Sequence, residues 1–215
     1  LRNQMIFNTS ERKGILANFL EKCMKILLIK ECNKITNIKI DIISSTTNII
    51  KGDIEKINIF AQDIDYKDLL FDEIKLEADH IKINFQIKKK ELHFKNDPII
   101  KFKISLSQNS LKRFLLSENW NWIKSLISKN LLNQDKLECI RIKNDQLLIN
   151  ILEEKKKSLN ESAQIEVKAV NGKIYLNNRN HKKTIEIPIE EKIYIEAAYI
   201  ENNLINIVGN SLISF

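Results

Sequence analysis

The chain has 215 residues, 43% of them hydrophobic and 29% charged, which suits a folded protein with a buried core and excludes a disordered one. Four glycines and two prolines leave no room for collagen-like, linker-rich or low-complexity architecture. The formal charge of +7 favours anionic partners, although 39 Ile, 30 Lys and 25 Asn point first to A/T-rich codons. With Arg only at positions 2, 12, 113, 141 and 179, no specific nucleic-acid reading is expected.

From Ile15 to Ile29 the residues Ile15, Leu16, Phe19, Leu20, Cys23, Ile26 and Leu27 cover one arc of a helical wheel, and Asn18, Glu21, Lys22 and Lys25 the other. This predicts an amphipathic helix over about residues 15–30. Packing of the apolar arc on the domain's sheet is the plainer reading; docking on an anionic membrane surface is the functional one. Lys22, Lys25 and Lys30 interrupt the stretch before it reaches the ~18 apolar residues of a membrane span. It is followed by no small-residue cleavage site, so no secretory signal is read there, and an upstream segment is left open. A cytoplasmic or peripheral-membrane location is expected.

From residue 35 the period falls from 3.6 to 2. Ile38, Ile40 and Ile42 alternate with polar residues, as do Ile57, Ile59 and Ala61, then Ile74, Leu76 and Ala78. In the run Ile81, Ile83, Phe85 and Ile87 the inward parity has switched, which predicts a bulge or bend around Asp79 and His80. Leu92 and Phe94, then Ile100, Phe102, Ile104 and Leu106, continue the strands.

Asn109 or Ser110 is placed to cap a helix bearing Leu111, Phe114, Leu115, Trp122, Ile123 and Leu126, with a break near Glu118 and Asn119. Trp120 and Trp122 fall on different faces, so one of them is expected at the surface.

Strands resume at Ile140 and Ile142, at Leu147, Ile149 and Ile151, and from Ala163 to Ala169. Asn171-Gly172 then signals a type I′ hairpin into Ile174 and Leu176. Ile185, Ile187 and Ile189 form a strand that Pro188 restricts to an edge or an irregularity. Ile193 to Tyr199 and Leu204 to Val208 close the chain. The order is helix, about five strands, a helix pair and about six strands, read as one α+β domain over residues 1–215. Its one-sided strands ask for more cover than two helical segments supply.

The stretch from Thr47 through Phe85 has Gly52 opening a strand, the connector Asp63-Ile64-Asp65-Tyr66-Lys67-Asp68-Leu69-Leu70-Phe71-Asp72-Glu73, and the strand Ile74-Lys75-Leu76-Glu77-Ala78. It resembles the bacterial LmeA-like phospholipid-binding family, long known only as a domain of unknown function. The segment Ile104 to Leu115 looks like that family's strand followed by a helix, with Leu111-Lys112 where an Asn commonly follows the Leu. From Gln164 onward the closing hairpins fit in pattern, so the resemblance spans roughly residues 15 to 213. It implies an elongated, strongly bent antiparallel sheet rolled around amphipathic helices, similar to tubular lipid-binding proteins, with an apolar groove that accepts acyl chains.

The sequence carries none of the common enzymatic signatures. Cys23, Cys32 and Cys139 make no paired spacing, and His80, His93 and His181 lack metal-ligand context, so no metal and no cofactor are expected. Neither a Gly-x-Ser-x-Gly elbow nor a phosphate loop is present. Asp63, Asp65, Asp68, Asp72 and Glu73 read as a solvated connector rather than an acid/base pair. The lysine clusters Lys88-Lys89-Lys90, Lys155-Lys156-Lys157 and Lys182-Lys183 are solvated turns or, gathered at one end of the sheet, an attraction for anionic headgroups.

The expectation is therefore a non-enzymatic binder of phospholipid or another acyl lipid, held in a groove lined by Leu111, Phe114, Leu115, Trp122, Ile123 and Leu126. Lys88, Lys89, Lys90, Lys155, Lys156 and Lys157 would face an anionic membrane. The alternative is a structural or adaptor module with a filled core and a protein partner, and an enzyme acting on lipid comes third.

Overall fold

In the computed structural model the described residues are 14–86, 91–133, 137–151 and 162–213. The first half runs α1 (Ile15–Glu31), β1 (Lys34–Ile43), α2 (Thr46–Lys51), β2 (Asp53–Tyr66), β3 (Leu69–Gln86), β4 (Glu91–Phe94) and β5 (Ile99–Leu106). After these come α3 (Gln108–Leu116), a 3₁₀ turn (Glu118–Trp120), α4 (Asn121–Leu126) and a π turn (Ile127–Leu131). Seven strands follow: β6 (Leu137–Lys143), β7 (Gln146–Ile151), β8 (Ser162–Val170), β9 (Lys173–Asn178), β10 (Lys183–Ile187), β11 (Ile193–Glu201) and β12 (Leu204–Leu212).

The fold is α+β with two antiparallel sheets. One has the order β1-β2-β3-β5-β12-β11, with β4 paired to β3, and the other is β10-β9-β8-β7-β6. Because the chain has few glycines, side-chain-bearing residues take the left-handed turn positions. Asn144-Asp145, Asn171-Gly172 and Asn202-Asn203 have positive φ at both residues, the geometry of type I′ hairpins, where Asn and Asp cost least. The Asn171-Gly172 hairpin is thus where the sequence puts it, and β10 is an edge strand that stops at Ile187, before Pro188.

Rows of apolar side chains cross the first sheet in register. Ile40 faces Ile59, Ile59 faces Leu76, Leu76 faces Phe102, and Phe102 faces Gly209. The opposite face carries charges paired across strands, with Lys56 3.0 Å from Glu77 and 3.9 Å from Asp79.

The predicted parity change near His80 is present without an inserted residue. Pairing continues unshifted from Ile54↔Ile81 to Lys56↔Asp79, and His80, at φ 53, turns the strand so that Ile81 is buried as Ala78 is. The two runs of alternation on either side are therefore one strand, β3.

Two cores lie at opposite ends of the first sheet. Ala17 and Leu20 of α1 and Ile49 of α2 pack on Ile42, Ile54, Ile57, Ala78, Ile81 and Ile83. At the other end Leu131, Ile149 and Ile165, all at or below 2% exposure, join Leu106 and Ile205 of the first sheet to the inner face of the second. A smaller cluster, Ile174, Ile195 and Ala198, ties β9 to β11, and the Gly172↔Ile195 bridge adds main-chain hydrogen bonding between the sheets.

Ser107 caps α3, accepting a hydrogen bond from the Ser110 N–H, in place of the predicted Asn109 or Ser110. The half-buried Asp72 of β3 decides this start: its carboxylate accepts from the Ser107 N–H and from the Ser110 hydroxyl at 2.7 Å. Asp72→Ala would strand two donors at a helix entry, so a loss of about 2–3 kcal/mol is expected in urea denaturation, with Asp72→Asn recovering part of it.

Two outer strand edges receive side-chain acceptors. Glu21 Oε1 of α1 accepts from the Ile42 N–H of β1 at 2.9 Å, and Gln108 Oε1 of α3 accepts from the Ile142 N–H of β6 at 3.1 Å.

Candidate functional site

Of the helical residues predicted to line a groove, Leu111, Leu115, Ile123 and Leu126 are half-buried and pack against the Leu131 core. The Phe114 ring meets Trp120 with centroids 5.9 Å apart, and Trp120 Nε1 donates to the Lys67 carbonyl at 3.0 Å. Trp122 is the exposed tryptophan of the pair, at 45%. These six side chains go mostly into a core because the π turn continues α4 across the second sheet and offers Ile127, Leu131 and Leu132 as neighbours.

The clusters Lys88-Lys89-Lys90 and Lys155-Lys156-Lys157 lie outside the described residues. Lys183, of the third cluster, donates to Asn133 Oδ1.

On α1 the face turned inward is not the predicted arc. Ala17 and Leu20 are buried, Leu16, Met24 and Leu28 half-buried, and Glu21 reaches the edge of β1. Ile15, Ile26, Leu27 and Ile29 remain exposed, Ile15 at 87% and Ile26 at 66%. The helix has more apolar residues than a stripe ~100° wide seats, and the Glu21 hydrogen bond selects which stripe goes in. Lys22, Lys25 and Lys30 stand among the apolar side chains left outside. Ile50 of the neighbouring α2 is exposed as well, at 72%.

Beside α1 an open trough of about 550 Å³ is lined by Lys25 and Ile29 of the helix, Ile35, Asn37, Ile38 and Lys39 of β1, and Phe60 and Gln62 of β2. Its cause is local. The β1–β2 register shifts on both sides of Thr36, and Asn37 is left-handed at φ 47, so the edge strand bulges away from regular pairing. Asn37 Nδ2 donates to Gln62 Oε1 at 2.8 Å, bracing the bulge. Lys75 Nζ lies 5.6 Å from the centre of the Phe60 ring. Phe60 was the available signal in the sequence: it is an apolar residue at an outward position, next to Ile59 and Ala61, which point in.

Burial pushes the Cys32 thiol up, and the carboxylates of Glu31 and Asp65 push it further, away from a reactive thiolate. The Glu186 carboxyl is held below its usual range by a hydrogen bond from Lys173 and a weaker one from Tyr175. Glu166 is lowered by Asn177, then by Arg179. Both belong to the exposed face of the second sheet, whose other face is core. Among the described residues no three His, Cys, Asp or Glu side chains gather as a metal site, and no helix is long and apolar enough to cross a membrane.

Comparison with protein-family models, curated proteins and solved structures gave no match.

Proposed function

We propose that this chain binds acyl lipid without a chemical step and makes peripheral contact with an anionic membrane surface. The observation that carries the reading is α1, a helix seated by one narrow stripe while Ile15, Ile26, Leu27 and Ile29 face out among Lys22, Lys25 and Lys30. Exposed apolar side chains interleaved with lysines on one helix suit the boundary between headgroups and acyl chains. Each Lys near an anionic surface adds about 1 kcal/mol, less at high salt.

The resemblance to the LmeA-like family points the same way. In this reading the first sheet is bent and rolled about its helices, in the manner of tubular lipid-binding proteins, with the left-handed residues Asp63 and His80 as its bending points. A lipid tail gains about 0.8 kcal/mol per buried CH₂ relative to water but is equally buried in a bilayer. Exchange between protein and membrane is then near balance, which fits carrying or sensing lipid.

Flotation with vesicles tests it. Binding to anionic vesicles and little to neutral ones is expected, and Ile26→Glu should cut it at least tenfold with an unchanged melting temperature, since the side chain is exposed. Equal binding to both vesicle types, or none to either, would overturn the membrane contact.

The closed core around Leu131 favours a second reading, an adaptor module whose helices fill the space under the sheets and whose surface serves a protein partner. Purified protein free of lipid and indifferent to vesicles would select it.

A further inference from the structure

Three segments of the chain meet at Asp65. Just past α1, Asn33 donates its N–H to the Asp65 carbonyl at 2.8 Å and its side-chain amide to the Asp65 carboxylate at 3.3 Å. From α3, the Arg113 guanidinium comes within 3.7 Å of the same carboxylate. Asp65 lies in β2, one residue before Tyr66 and the left-handed turn Lys67-Asp68. The C-terminal end of α1, the β2–β3 turn and the end of α3 therefore stand side by side at one end of the first sheet.

That end is braced within and apolar outside. Asn119 donates to the Asp68 carboxylate at 2.6 Å, Trp120 donates to the Lys67 carbonyl, and the Lys67 ammonium lies 5.1 Å from the centre of the Tyr66 ring. Around these contacts Leu116 is 84% exposed and Tyr66 39%, and Trp122 faces out as well. Both tryptophans of the chain are here. A single exposed Leu is ordinary, but a Leu, a Tyr and a Trp fixed around one braced turn form a patch that suits a partner.

Continuity with α1 says which partner. The exposed Ile26, Leu27 and Ile29 fall within the last six residues of the helix, so at most about 8 Å along its axis separates them from Glu31. Trp and Tyr, each an apolar body with one polar group, settle at the level of lipid headgroups. Charge is close to balance: exposed Lys30, Lys34, Lys67 and Lys112 stand against exposed Glu31, Asp63 and Glu118, while Asp65 and Asp68 are engaged by Arg113 and Asn119. The small positive excess allows approach to an anionic surface, and holding falls to the rings and aliphatic side chains.

We propose that this end of the molecule enters the headgroup layer of a bilayer, with Tyr66, Leu116 and Trp122 seated at its boundary with the acyl chains beside Ile26, Leu27 and Ile29. This rests on the membrane contact proposed above and extends it from one helix to an anchor of three elements with a defined orientation. The α2 end is then held away from the lipid. β1 runs from Lys34, opposite Asp65, to Ile43, opposite Lys56 and just before α2, a span of about 30 Å.

The two tryptophans report on this contact directly. Anionic vesicles containing lipid brominated on the acyl chain, either near the headgroup or near the methyl end, are mixed with the full chain and tryptophan emission is read alongside flotation. Emission should shift to the blue and be quenched more strongly by the shallow bromines than by the deep ones. Trp122→Ser should remove most of that quenching and weaken flotation about fivefold, whereas Ile50→Glu, on α2, should change neither. Both side chains are exposed, so both variants should melt close to wild type. Flotation without quenching, or a Trp122→Ser variant that floats as wild type does, would overturn the proposal, leave the α1 contact standing and give the patch to a protein partner. A chain that does not float at all would remove both.

Discussion

Leu131→Ala is expected to cost about 2–5 kcal/mol, read as a shift of the urea midpoint at unchanged slope. Leu131 has no exposed surface, ends the π turn and sits at the centre of the core joining both sheets. Its carbonyl accepts from Asn178 Nδ2, and Asn178 is itself fully buried. For a chain this long, each kcal/mol lowers the melting temperature by about 2–4 °C. The measurement also decides between two interiors. Side chains packed to native density lose contacts outright when a Leu is truncated, whereas a wall of a lipid cavity already lacks neighbours on one side. A loss below about 1 kcal/mol would reopen the space under α3 and α4 to a guest lying against Leu111, Leu115, Ile123 and Leu126.

Gly52→Ala should cost roughly 2–4 kcal/mol. Gly52 ends α2 at φ 81, and a Cβ there would lie 2.1 Å from the Ile83 carbonyl oxygen. The same residue donates to the Asn48 and Ile49 carbonyls and accepts from the Ile83 N–H at 2.7 Å, so the strand cannot move off without losing that bond. Asn tolerates the left-handed angle but keeps the Cβ, so Gly52→Asn should be nearly as damaging as Gly52→Ala, which separates the clash from the backbone preference. Ile49 and Ile83 belong to the core under α1, so anionic-vesicle binding by Gly52→Ala should fall as well, at temperatures where the variant begins to melt. Wild-type stability in both variants would mean that α2 does not turn into β2 as described.

Strands were legible where each residue reports its own face. Ile57, Ile59 and Ala61, or Ile100, Phe102 and Ile104, say in and out by alternation alone, and the structure pairs them with like neighbours. The short α2 was missed because six residues carry no period; its evidence is its ends, Ser45 accepting from the Asn48 N–H and Gly52 closing it. The last strand runs to Leu212, past the predicted Val208, because β5 and β11 offer partners on both sides that local sequence does not reveal.

For α1 the sequence shows an amphipathic helix but not which face turns in. That choice depends on the hydrogen bond from Ile42, 21 residues away, to Glu21. The trough was illegible for a related reason. Three stretches of chain build it, and the bulge that opens it is a matter of register between β1 and β2. The lining predicted at Leu111 to Leu126 was read from a helix whose apolar face has a partner in the second sheet, and pattern alone does not separate a face that meets its own chain from one that meets a guest.

The carboxylate of Glu21 and the amide of Gln108 have a bearing on self-assembly. An open strand edge is a template on which another copy can build, the first step toward fibres. In this chain, rich in isoleucine strands, β1 and β6 each have a main-chain donor already satisfied from within, at Ile42 and Ile142. The side chain that orients α1 thus also blunts polymerisation along β1, so Glu21→Leu trades colloidal behaviour along with helix placement.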